Sequence, residues 1–132
     1  MDITYKTGIT PQAEDIIALY NSAGLIRPTG DVARIAKMYA NSNLIVSAWQ
    51  DDVLVGVSRS LTDFCYCCYL SDLAVMEGYK QHGIGKRLIE LTREALGEQV
   101  TLILLSAPGA MEYYPKVGFD KIENGFIINR KV

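Results

Sequence analysis

No apolar run in this 132-residue chain approaches the roughly 20 residues that cross a bilayer. The N-terminus, Met1-Asp2-Ile3-Thr4-Tyr5-Lys6, lacks the charged-then-apolar order of a signal peptide. Charge of one sign is missing too. Thirteen Lys and Arg face 15 Asp and Glu, giving a formal net charge of −2 and a pI near 5.3. That balance has none of the basic surplus on which nucleic-acid binding draws, so neither a nucleic acid nor a membrane is expected as a partner. Cysteine is scarce and badly spaced for cross-linking. Cys65, Cys67 and Cys68 are odd in number, and neighbours that close in an extended strand do not form a disulfide framework. A reducing, cytoplasmic setting is the expectation. The run also lacks a second cysteine pair and a nearby histidine, which argues against a metal site or an activated thiol. The three cysteines read as small, buried, apolar residues.

Repeats, low-complexity tracts and long linkers are absent as well. Residues 1–132 are therefore expected to form one domain, long enough to bury a core. Ile3 to Lys6 reads as a short strand. Thr10-Pro11 supplies a cap and a first-turn proline, and Ala13, Ile16, Ile17 and Tyr20 follow at helical spacing. Asp31 caps a second helix carrying Val32, Ile35, Ala36 and Tyr39 on one face. Strands are expected over Leu44–Trp49, Val53–Ser60 and Tyr66–Val75. A helix follows Gly83, with Ile84, Leu88, Leu91 and Ala95 on one face and Gly97 at its end. Val100–Leu105 is apolar nearly throughout, as in a strand covered on both faces. Ala110–Lys116 is a short helical segment. Phe119–Ile122 and Phe126–Arg130 form a hairpin around Asn124-Gly125. The order β-α-α-β-β-β-α-β-α-β-β places the chain in the α+β class, with a mixed, mostly antiparallel sheet and helices on both faces.

The strand ending at Val75 runs into Met76-Glu77-Gly78-Tyr79-Lys80-Gln81-His82-Gly83-Ile84-Gly85-Lys86-Arg87. Lys80, His82, Lys86 and Arg87 crowd the start of the helix. A helix N-terminus is already positive, because its first N–H groups are free and its dipole points that way. Cations there conflict with stability, and such conflicts tend to mark function. A bound anion, best of all a phosphate, resolves this one. The spacing is neither a dinucleotide fingerprint nor a Walker A loop: Leu88 stands where the former has glycine or alanine, and the latter's Ser or Thr does not follow Lys86.

Three segments taken together carry a resemblance: Tyr69-Leu70-Ser71-Asp72-Leu73-Ala74-Val75, Lys80-Gln81-His82-Gly83-Ile84-Gly85, and Tyr113-Tyr114-Pro115-Lys116-Val117-Gly118-Phe119. In this order, with these elements, the chain resembles the GCN5-related N-acetyltransferases (GNAT), which move an acetyl group from acetyl-CoA to an amine. Lys80 departs from that family's Arg/Gln at the first motif position but keeps a charge. The resemblance implies acetyl-CoA as cosubstrate, with no metal. It implies that backbone N–H groups from Gln81, His82, Gly83, Ile84, Gly85 and Lys86 hold the pyrophosphate. Leu73, Ala74 and Val75 would lie along the pantetheine arm, in a slot where two strands splay. A backbone donor there would polarise the thioester carbonyl and stabilise the oxyanion. Tyr114 would be the general acid for the departing thiolate. A phenol, with a reference pKa near 10, holds its proton at neutral pH.

The same residues admit plainer roles. Tyr113 and Tyr114 also suit a packing role under the last strands. Asp72 and Glu77 are the carboxylates nearest the slot, and each also suits a solvated surface position, so the general base is left unassigned. Arg27 falls in a loop that overhangs the acceptor site in the family; it either binds an acidic acceptor or faces solvent. Trp49 reads as a packing residue. The expected activity is transfer of acetyl from acetyl-CoA to a primary amine of a small molecule or peptide, by direct attack in a ternary complex. The alternative is a sensor of the same fold that binds CoA or acetyl-CoA without turnover. Monomer and homodimer are both compatible with the sequence, and the acceptor is not specified by it.

Overall fold

The strands of this protein form where apolar residues run in short stretches, and a computed structural model describes their arrangement for residues 1–132. The elements run β1 (Thr4–Thr7), α1 (Ala13–Ala23), α2 (Val32–Ala40), β2 (Leu44–Gln50), β3 (Val53–Thr62), β4 (Cys67–Val75), α3 (Ile84–Leu96), β5 (Thr101–Ile103), a 3-10 turn (Pro108–Ala110) and α4 (Tyr113–Lys116). The five strands make one mixed sheet in sequential order. β1 to β4 pair antiparallel, and β5 joins β4 in parallel through the α3 crossover.

Helices cover both faces of the sheet. On one, Ile16, Leu19 and Tyr20 of α1 and Ile35 and Tyr39 of α2 pack on Ile45, Leu54, Val57 and Ala74. On the other, Ile84, Leu88 and Leu96 of α3 pack on Leu44, Val46, Ala48, Val55 and Cys68. The strictly helical spacing of these α1, α2 and α3 residues is what lets each helix present a single apolar stripe. Gly56 lies under α3. A Cβ there would stand 3.0 Å from Ile84 Cγ2 and 3.2 Å from Leu88 Cδ1, so the close approach of helix to sheet depends on a missing side chain. Asp31 caps α2 as expected, accepting from the Arg34 N–H at 3.0 Å. α1 starts later than its Thr10-Pro11 signal: Gln12 is its N-cap, with no side-chain capping bond.

β4 carries an irregularity that organises everything near it. Asp72 pairs with Arg59 and Leu70 with Ser60, which leaves Ser71 as an extra residue. A bulge of this kind switches which face alternate residues occupy. Cys68 therefore faces α3, while Ala74, an even number of residues on, faces α1 and α2. Leu73 and Val75 pack on the α3 side instead.

Three expectations are corrected in the last third of the chain and the loop before β4. The hairpin over Phe119–Ile122 and Phe126–Arg130 is not formed. Beyond Phe119, whose N–H reaches Tyr114 O at 3.1 Å, no backbone N–H finds a backbone acceptor. The turn signal at Asn124-Gly125 is present, but an isolated two-stranded ribbon is only marginally stable, and β5, cut to three residues, pairs only with β4. For the same reason Val100–Leu105 is not a strand buried on both faces: Thr101 and Ile103 are exposed. Cys65 and Cys67 are exposed rather than buried, and only Cys68 is in the core. They sit at a tight turn built by Asp63, whose carboxylate accepts from the N–H groups of Cys65, Tyr66 and Cys67 at 2.8, 2.7 and 3.1 Å. These backbone donors hold the exposed Asp63 carboxyl down at about 2.

Candidate active site

The chain from Gln81 into α3 is shaped to receive an anion. Gln81 and Gly83 both adopt left-handed backbone angles, φ +74° each. Gly83 is the N-cap of α3, and glycine enters this region without the penalty a Cβ brings. The two left-handed residues turn successive amides into a concave nest. Arg87 N–H is the first in this stretch to find a backbone acceptor, Gly83 O at 3.0 Å, which leaves the amides of Gln81 to Lys86 without one. No acidic residue occupies the first turn of α3. The four basic side chains then separate. Lys80 reaches back to Ala23 O at 3.1 Å and to Glu77 at 3.3 Å. Lys86 lines the adjoining cavity. Arg87 turns along α3 to Glu90 and Glu94, at 3.2 and 3.7 Å, so its charge is shared with acids rather than offered to a ligand. His82 is exposed and lies off the cavity.

β4 and β5 stay together only for the pairs Cys67–Thr101, Cys68–Leu102 and Tyr69–Ile103. Past Tyr69 the strands part, so β4 continues to Val75 with no strand partner on its β5 side. The opening is a cavity of about 1040 Å³ that runs from the α3 N-terminus along β4. Leu73, Ala74, Val75, Lys80, Gln81, Gly83, Ile84, Gly85, Lys86 and Tyr114 all line it. The structure thus brings together every residue expected to bind the cosubstrate or donate the proton except His82, and leaves Arg87, Asp72 and Glu77 outside the lining. The free amides at one end fit a pyrophosphate, and the unpaired strand edge fits an extended, amide-bearing arm.

Two tyrosines of α4 line the cavity. Tyr114 stacks edge-on against Phe119 and Tyr113, with ring centroids 5.6 and 5.3 Å apart. Its phenol pKa is pushed up by burial and by Tyr113, with the charge of Arg27 pulling the other way. It therefore keeps its proton at neutral pH, as a proton donor must. Tyr113, which the sequence suggested only as a packing residue, has its hydroxyl 2.8 Å from where a Cβ of Gly85 would be. It stands over the first turn of α3, its pKa also raised by burial. The second glycine of the motif thus makes room for this hydroxyl.

Under the cavity floor lies a polar cluster in which Asp72 is completely buried. Arg59 Nε and Arg27 Nε hold its two oxygens at 2.8 and 2.7 Å, and Tyr20 donates to it at 2.6 Å while also bonding Tyr39. Burial would raise the Asp72 carboxyl, but hydrogen bonds from Arg59 and Tyr20 and the charges of both arginines outweigh it and hold it below the ordinary carboxylate range. Burial and the neighbouring carboxylate push the Tyr20 phenol far up. Asp72 is thus a fixed anion that clamps the α1–α2 loop to β4, and it is unsuited to taking a proton from an amine. Glu77, the other carboxylate near the slot, is exposed, pairs with Lys80 and does not line the cavity. Sequence reasoning missed Arg59. Its one signal was a charged residue inside the otherwise uncharged run Val53–Ser60, placed to face an acid on the next strand.

A family profile described as the acetyltransferase (GNAT) domain matches residues 28–129. A probable acetyltransferase from methicillin-resistant Staphylococcus aureus superposes with a TM-score of 0.81 at 24% identity, over 96% of this chain and 100% of that one. A GNAT-family acetyltransferase from Streptococcus pneumoniae does so at 0.75 and 24% identity, over 98% and 100%. An aminoglycoside N-acetyltransferase in complex with CoA gives 0.73 at 15% identity, over 99% and 96%. No curated protein matches the chain in sequence.

Proposed function

This chain belongs to the GNAT acetyltransferase family, and we propose that it transfers an acetyl group from acetyl-CoA to a primary amine of a small molecule or peptide, by direct attack in a ternary complex. The observation that carries this reading is the single cavity joining the free amides of α3, the unpaired edge of β4 and the Tyr114 phenol. Acetyl-CoA supplies the activated thioester. The amides from Gln81 to Lys86, with Lys80 and Lys86 beside them, bind its pyrophosphate, where the α3 dipole adds to their pull. The backbone of Leu73, Ala74 and Val75 aligns the pantetheine arm, and a fixed N–H on that edge opposes negative charge as it develops on the acyl oxygen. Tyr114 gives its proton to the leaving sulfur. No Asp or Glu lines the cavity, so the amine sheds its proton to water rather than to a carboxylate of this chain. A cytoplasmic location is part of the same reading.

Two measurements test it. Acetyl-CoA at 100 times its dissociation constant should add about 2.7 kcal/mol to stability, which is readable as a rise in melting temperature, and CoA thiol should appear when amines are supplied. Binding without thiol release from any amine would replace the enzyme with a sensor. No binding at all would remove both.

A further inference from the structure

We propose that the acceptor is an anionic amine, a primary amine on a small molecule that also carries a carboxylate, and not a polyamine or an aminoglycoside. The inference rests on the acetyl-transfer reading above and narrows its substrate. Its basis is the charge of the cavity wall. Arg27, Arg34, Arg59 and Arg130 line the cavity in addition to Lys80 and Lys86, and none of its lining residues is Asp or Glu. A wall of this composition repels a polycation and draws in an anion.

The arginines are not simply an extension of the phosphate site. Arg27 Nη2 donates to the carbonyl of Ser71 at 2.8 Å and its Nε to Asp72. Ser71 lies four residues back along β4 from Val75, whose side chain reaches the first turn of α3 at Gly85. At about 3.3 Å per residue, that is about 13 Å from the amides that suit a pyrophosphate. The charge of Arg27 also acts on the Tyr114 phenol, which ties this end of the cavity to the place where the proton is delivered.

The charge of the cavity wall is unbalanced. Asp72 is the one carboxylate bound to Arg27 and Arg59, and a single carboxylate leaves one of the two guanidinium charges uncompensated. Arg34 and Arg130 have no carboxylate partner at all. Arg27 uses one N–H each from Nε, Nη1 and Nη2 on Asp72, Ile26 O and Ser71 O. A guanidinium has five N–H donors, so two remain for a ligand on a side chain already held in place. A guanidinium held in place with donors to spare suits a carboxylate. The same positive surroundings disfavour an ammonium ion, which helps a bound amine reach the neutral form in a cavity without a carboxylate base.

The test compares matched amines at saturating acetyl-CoA by thiol release: β-alanine against β-alaninamide, L-glutamate against its diamide, with spermidine and kanamycin alongside. The expected result is a kcat/KM at least 10-fold higher for each carboxylate-bearing amine than for its neutral amide, with the polycations lowest. Arg34→Ala should narrow that ratio by raising KM for the acidic amine, while calorimetry shows acetyl-CoA affinity within 2-fold of the parent. Turnover that favours the amides or the polycations would overturn the anionic acceptor and leave the acetyltransferase reading intact. An Arg34→Ala chain that loses acetyl-CoA affinity and keeps its amine preference would assign the arginines to the cosubstrate, which also overturns it. Failure of every amine despite acetyl-CoA binding would remove the acetyl-transfer reading itself, and this inference with it.

Discussion

β2 and the stretch Val100–Leu105 are built from much the same residues, yet they end in opposite environments. β2 is fully buried from Leu44 to Ala48, between two strands and beneath helices on both faces. In β5 only Leu102 is even partly buried, because α3 and the first residues of β4 are its sole supports. The contrast extends along the chain: the buried residues all lie at or before Leu96. Composition proposes a strand, but neighbours decide whether it is covered. The consequence for function is that the two ends of the proposed site differ in kind. The anion nest and the Arg27–Asp72–Arg59 clamp are anchored in the packed part, whereas Tyr114 stands on a four-residue helix in the lightly packed part.

The largest effect should come from removing the buried anion of the packed part. Asp72→Ala leaves Arg59 buried without its partner, a loss worth about 3–5 kcal/mol, measurable by denaturant unfolding. The dependence on pH has a definite sign. The Asp72 carboxyl is held low in the folded protein, so its stabilisation is complete above the unfolded carboxylate value near 4. It is lost as pH falls through the folded value. The stability gap between the parent and Asp72→Asn should therefore shrink below about pH 4. A gap that stays constant into acid would show that Asp72 is not the clamp described here.

Tyr114→Phe should reverse the pattern, costing chemistry and not stability. Loss of a general acid lowers turnover by about 100-fold or more. With the phenol free of strong protein partners and the helix short, the melting temperature should move by less than a degree or two, and acetyl-CoA affinity should hold. Unchanged turnover would transfer the role elsewhere, with Tyr113→Phe the next variant to measure, since that hydroxyl stands over Gly85.

The same contrast governs what could be read from the sequence. α1, α2 and α3, β1 to β4 and the nest at Gly83 were legible because each declares itself within a few residues: a 3.6-residue period, an Asp31 cap, a glycine at a helix start. The terminal hairpin was misjudged because Asn124-Gly125 specifies a turn and says nothing about a third strand to pair with. The exposure of Cys65 and Cys67 escaped notice because Asp63 gathers their N–H groups into a turn inside what reads as strand. Arg59 and Asp72 are separated by 13 residues, and the bulge at Ser71 that sets which face Asp72 occupies leaves no mark in an alternation count. Among the cations at the helix start, only contacts distinguish Lys86, which meets the cavity, from Arg87, which meets Glu90 and Glu94.

A smaller effect is expected at the anion nest of the packed part. Gly83→Val forces a branched side chain into a backbone region that costs such residues about 1–2 kcal/mol, and Gly83 has φ +74°. No protein atom lies within 4 Å of the added Cβ, so the strain, not a clash, must be relieved, and relief disturbs the amides beside it. Acetyl-CoA should bind about 10-fold more weakly, since 1.4 kcal/mol corresponds to that factor. Equal affinity by calorimetry would mean that the amides around Gly83 do not hold the cosubstrate.

The smallest effect belongs to the C-terminal residues, and it probes the comparison most directly. Phe126 is 100% and Ile128 99% exposed, with no backbone bond in the segment to anchor them. A side chain that gains nothing from folding loses nothing when it is made polar, so Phe126→Ser and Ile128→Ser should each change stability by less than about 0.5 kcal/mol. Hydrogen exchange adds an independent reading. Amides from residue 120 onward should exchange within seconds of their unprotected rates, while those of β2 and β3 should approach the protection of global unfolding. A loss above about 1 kcal/mol for either serine variant, or slow exchange at Ile127 and Asn129, would show that these apolar residues are covered in solution. The difference between the two parts would then be one of partners still to be engaged rather than of packing strength, because the sequence from Phe126 to Ile128 is apolar enough to be buried wherever a strand edge is offered to it.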